Sequence, residues 1–85
     1  MPDEWRVLTS RQVFDHWAGQ SSYSARRRVA YWEWVQDVNR DGPPDDAIRV
    51  FGDDDLYLAS ISGTNLVVSF LVSVQDRVII VREIG

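Results

Sequence analysis

The sequence predicts an α+β fold in the order β-α-α-β-β-β-β, with an N-terminal helical hairpin packed on an antiparallel meander sheet. One domain over residues 1–85 is expected. Two observations carry this reading. In the C-terminal third, Leu66, Val68, Phe70, Val72 and Val74 recur at a period of two, which places one apolar stripe on one face of a strand. Gln75-Asp76 then permits a tight reversal into a second apolar run over 77–84. The N-terminal half instead carries helix start and stop signals at a period near 3.6.

Taken in order, 5–8 is a short first strand. Thr9 is the predicted N-cap of the first helix, with Gln12 as its capping-box partner and Leu8 and Val13 as a hydrophobic staple. Val13, Phe14 and Trp17 form the apolar face, and Gly19 is the expected C′ stop. A second helix over 25–40 clusters Tyr31, Trp34, Val35 and Val38 on one side and Glu33, Gln36, Asp37 and Arg40 on the other. Val29 and Trp32 fall toward the polar side, so this helix either packs on more than one face or leaves an apolar patch for a partner. Gly42-Pro43-Pro44 ends it, because proline cannot continue a helix. Strands over 48–51 and 56–61 follow, joined by a turn at Gly52-Asp53-Asp54-Asp55, and Ser62-Gly63-Thr64-Asn65 turns into the long strand.

Composition narrows the function classes. All nine basic residues are arginine against thirteen acidic ones, for a net charge of −4. Nucleic-acid binding leans on phosphate neutralisation, so it would need a local basic patch here. Cysteine is absent, which excludes disulfides and thiolate chemistry. No apolar run reaches the roughly 20 residues that span a bilayer, and no secretory leader is visible, so a cytoplasmic protein with no membrane partner is expected. No cofactor is expected.

The Arg6-Val7-Leu8 strand before Thr9-Ser10, the helical hairpin and the 63–70 to 78–81 hairpin together resemble the RelE/ParE toxin superfamily of bacterial toxin–antitoxin systems. The resemblance implies a toxin-like component of a type II pair, with a cognate antitoxin as partner and RNA or the ribosome as a further one. It also implies messenger-RNA endoribonuclease activity wherever the family's site is retained. By alignment, Val67 takes the position of the usual arginine and Phe70 that of the usual tyrosine. After Ile84 no histidine, arginine or tyrosine matches the one that ends many ribosome-dependent members. A catalytically inert member acting by binding is therefore the companion expectation. The alternatives are a small non-toxic protein-interaction module, as a monomer or homodimer, and a weak calcium-binding domain.

Several residues are candidates for chemistry. Arg26-Arg27-Arg28 opposes the positive end of its own helix dipole at a cost of about 0.3–1 kcal/mol each. Either aspartates such as Asp45-Asp46 or 53–55 offset this, or an external anion or partner does, with exposed Trp32 beside it. Arg49, Arg77 and Arg82 fall on predicted strands and, with Tyr57, would form an anion-binding surface if they converge on a concave face of the sheet. Phosphodiester cleavage would need arginine for charge stabilisation, with His16, Glu83 or a tyrosine moving protons. Asp37, Asn39, Asp41 and Gly42 match the opening of a calcium loop, and Asp45 falls at its ninth position. The twelfth, normally a bidentate glutamate, is Ile48.

Overall fold

The computed structural model describes residues 4–50, 52 and 55–85. It contains β1 (Arg6–Thr9), α1 (Arg11–Ala18), α2 (Ala25–Asp41), β2 (Ile48–Arg49), β3 (Leu56–Ser60), β4 (Val67–Ser73) and β5 (Val78–Ile84). The expected order of elements is therefore present. Phe51, Asp53 and Asp54, which the sequence reading assigns to a strand end and a turn, lie outside the described residues.

The sheet runs β1-β5-β4-β3-β2, with β2 to β5 forming the antiparallel meander. β1 adds a feature the sequence pattern did not reveal. It joins the edge of β5 in parallel, with Arg6 opposite Val78 and Thr9 opposite Val81, so the sheet is mixed. A parallel neighbour requires a long crossover, and here the rest of the chain supplies it. The outer edge of β1 is closed by one residue of α2. Asn39 accepts the Trp5 N–H on its backbone oxygen at 3.0 Å and the Val7 N–H on its side-chain Oδ1 at 3.1 Å. Asn39 thus supplies the two acceptors that a further strand would bring.

The N-cap of α1 is Ser10, not Thr9. Ser10 Oγ accepts the Val13 N–H at 3.1 Å, which moves the cap by one residue and removes the Gln12 capping box and the Leu8–Val13 staple. Thr9 is instead held in β1 by Val81, and its hydroxyl is hydrogen-bonded to the Tyr31 phenol. Gly19 caps α1 at φ −86°, a conformation open to any residue. Gly42 does use its freedom. It sits at φ +86°, and a Cβ there would come within 2.9 Å of the Trp5 indole nitrogen. The β4–β5 reversal spans 74–77 and places Arg77, rather than a glycine, at φ +53°.

The core lies between the helices and one face of the sheet. Trp17 and Tyr31 are fully buried beneath the helices, against Val68, Phe70, Ile79 and Val81 from the strands. Aromatic rings link the layers: Trp17 to Tyr31 at 5.6 Å, Tyr31 to Trp34 at 6.0 Å, Trp34 to Phe70 at 5.8 Å and Phe70 to Tyr57 at 6.1 Å. Each such pair contributes about 0.5–1.5 kcal/mol beyond area burial. The predicted stripe is buried at Leu66, Val68 and Phe70, half-buried at Val72 and exposed at Val74, which lies past the end of β4.

Candidate functional site

In a strand, neighbours point to opposite faces. With Val7, Ile79, Phe70 and Tyr57 turned toward the helices, the alternate residues form the other face of the sheet. Cross-strand register aligns Leu8, Ile80, Leu71 and Leu56 in one row across β1, β5, β4 and β3. A second row carries Ile48, Leu58, Ser69 and Glu83. Apart from Ser69 and Glu83 these side chains are apolar, and several are open to solvent: Ile48 is 68% exposed, Leu8 48% and Ile80 42%, with Leu58 and neighbouring Val67 close behind, while Leu56 and Leu71 are half-buried. Among the described residues, no helix covers this face. A contiguous exposed apolar surface of this kind is characteristic of a partner site.

The face offers little for acid–base chemistry. Val67, at the position where the resemblance would place arginine, lies exposed on it, and Phe70, at the tyrosine position, is buried on the opposite side. Arg49 pairs in register with Tyr57, whose ring stacks on Phe70 with the planes 16° apart, so both belong to the helix side at the β2 edge. Arg82 lies three strands away on β5. Arg77 lies in the β4–β5 turn. The arginines therefore do not converge on one concave surface.

The structure does bring together one set that spacing could not show. Gln12 and His16 of α1, with Arg82 and Glu83 of β5, line a hollow of about 320 Å³. A register shift in the β4–β5 ladder is responsible. Ser69 pairs with Glu83 and Phe70 with Val81, which leaves Arg82 as an extra residue and lets two successive side chains serve one hollow.

At the start of α2, Ser24 caps the helix, Arg27 Nη1 donates to the Ser22 carbonyl at 3.3 Å and Arg28 Nη1 to the Tyr23 hydroxyl at 3.3 Å. Among the described residues, no carboxylate pairs with any of the three arginines. Arg26 and Arg27 line a polar hollow of about 390 Å³ with Gly63, Thr64 and Asn65. Trp32 is exposed as expected, its ring stacked on Phe14 at 6.0 Å.

The calcium-loop residues have other duties. α2 continues through Asp41, so the chain is helical where the loop would begin. Arg40 reaches Asp37 at 3.2 Å and Asp41 at 3.0 Å, and hydrogen bonding to Arg40 holds the Asp41 carboxyl below the usual carboxylate range. The Asn39 side-chain oxygen is taken by Val7. Asp45 lies exposed in the following loop. Among the described residues, no group of three or more His, Asp or Glu side chains is placed to hold a metal ion.

The open face had a signal in the sequence. Val67-Val68 and Val78-Ile79-Ile80-Val81 are apolar at both parities, as in strands meant to be covered on both sides. The β1 pairing and the register shift had none.

No family model matches the sequence, and no curated protein matches it. Solved structures do. The chain is similar to the free-state structure of an arginine-to-alanine double mutant of Escherichia coli toxin RelE, with a TM-score of 0.72 at 12% identity. The match covers 96% of this chain and 82% of that one. It is similar also to the archaeal RelE–RelB complex from Pyrococcus horikoshii, with a TM-score of 0.71 at 20% identity, over 96% of this chain and 93% of that one. The fold of this chain is RelE-like.

Proposed function

We propose that this chain is a toxin-like component of a type II toxin–antitoxin pair, working in the cytoplasm by binding rather than by cleavage. Its cognate antitoxin docks on the open apolar face of the sheet. The observation that carries this reading is the Leu8–Ile80–Leu71–Leu56 row, with exposed Val67 on the same face. That row of leucine and isoleucine binds by desolvation and itself has no group to move a proton. That one similar structure is a complex supports a protein partner. Among the described residues, no helix is long and apolar enough to cross a membrane.

A second reading, retained nuclease action on RNA or at the ribosome, is favoured by the shared hollow of His16, Arg82 and Glu83. Inducible expression in a bacterial host separates the two. Binding predicts growth arrest that survives Arg49→Ala/Arg82→Ala, whereas nuclease action predicts arrest that this pair of substitutions relieves. Ile80→Asp, on the antitoxin face, should leave arrest in place and weaken its rescue by co-expressed antitoxin. Normal growth with abundant soluble protein would count against both and favour a non-toxic interaction module.

A further inference from the structure

Two features of α2 have no role in the antitoxin reading. One is the arginine run at its start. The other is the pair Val29 and Trp32, which are 55% and 45% exposed on the side away from the core. We propose that two copies of this chain associate through α2, antiparallel, about a two-fold axis near Trp32 and Glu33.

Charge identifies the occupant as a second copy. The two ends of α2 are oppositely charged. The first turn carries Arg26, Arg27 and Arg28, which no described carboxylate neutralises. The last turns and the loop beyond them form a hollow of about 500 Å³ lined by Asp37, Asp41, Asp45 and Asp46, where Arg40 is the cation paired with aspartate. A two-fold axis brings each end against its opposite twice, as an isologous interface requires.

The helix geometry agrees. At about 100° per residue, Val29 and Gln36 fall on the ridge opposite Tyr31 and Val35, while Arg26 and Asp37 share one flank. Two-fold packing of antiparallel helices sets like flank against like flank. Arg26 of one copy then comes level with residue 39 of the other, between Asp37 and Asp41. Val29 comes level with Gln36, beside the two Trp32 rings at the axis. The α2 contact spans about 26 Å. The stack on Phe14 holds Trp32 in place before association, which lowers the ordering cost of binding.

Sedimentation equilibrium on the purified chain tests this. The expected mass rises with concentration from 9.8 kDa toward twice that value, and salt shifts it back by screening. Val29→Asp lowers association by at least about tenfold, a step of roughly 1.4 kcal/mol, with an unchanged circular dichroism spectrum. Two charge-swapped chains give the decisive result. Arg26→Asp/Arg28→Asp has two acidic ends and Asp37→Arg/Asp41→Arg has two basic ends, so neither pairs with itself and an equal mixture forms a heterodimer. A wild-type chain still monomeric near 1 mM at low salt overturns the proposal. So does a dimer indifferent to Val29→Asp, or a mixture that stays monomeric.

Discussion

The two faces of the sheet are built from the same residue types and meet opposite fates. On one, Val68, Phe70, Ile79 and Val81 lie under the helices with almost no solvent contact. On the other, Leu8, Ile48, Leu58 and Ile80 sit open beside half-buried Leu56 and Leu71. Propensity cannot explain the difference, since valine, isoleucine and leucine suit a pleated surface on either side. The cause is supply. Two helices cover one face of a five-stranded sheet, and among the described residues nothing is left to cover the other. An apolar face without an internal cover is the place for the antitoxin proposed above.

The sharpest way to break this comparison is to delete one large ring from the covered face. Phe70→Ala removes the ring between Trp34 and Tyr57 and should cost about 3–5 kcal/mol. At about 4–8 °C per kcal/mol for a domain this size, the melting temperature should collapse, as calorimetry would show. Next comes the β1 edge. Asn39→Ala leaves the Val7 N–H without its acceptor and should cost about 1–3 kcal/mol in urea unfolding, while Asn39→Asp keeps an oxygen in place and should cost less.

An alkaline titration reports on the covered face through Tyr31. Burial pushes the Tyr31 hydroxyl above its ordinary value of 10.0, partly countered by the Thr9 hydrogen bond. Between the unfolded and folded values the unfolded chain has lost this proton and the native chain still holds it, so stability falls as pH rises through that window. The stabilising contribution is complete below pH 10 and lost above it. Tyr31→Phe should flatten this alkaline slope in unfolding measurements above pH 10. If the slope is unchanged, another group is responsible.

The open face should give the smallest effect on folding. Ile80→Thr should move stability by only about 0.5 kcal/mol or less, as surface substitutions do. Retention of the proposed antitoxin should nevertheless fall well below wild type in paired co-purification. A large loss of stability at Ile80 would mean that something in the chain already covers this face.

How far the sequence could be read depended on whether the deciding interaction is local. The long β4 stripe, the α2 stop at Gly42 and the exposure of Trp32 follow from spacing and backbone chemistry within a few residues. The α1 cap was displaced by one because Thr9 is recruited by Val81 and Tyr31, both distant in sequence. The meeting of His16 with Arg82 and Glu83 depends on a one-residue register shift between β4 and β5, which no composition rule encodes. The calcium-loop pattern was legible and misleading, because its residues work as a helix end and as the Asn39 clamp.

The parallel pairing of β1 with β5 has a consequence for how the molecule is made. Arg6 finds its neighbour only at Val78, so β1 waits for β5. Until β5 emerges during translation, β1 has no strand partner, while β3 and β4 can already zip as a hairpin. Closing so long a loop is slow, and its entropy must be met before the β1–β5 contacts offset it. The completed sheet is therefore a late, whole-chain event, and a ribosome that stalls before β5 holds a chain with an unpartnered first strand and both apolar faces of its meander unfinished.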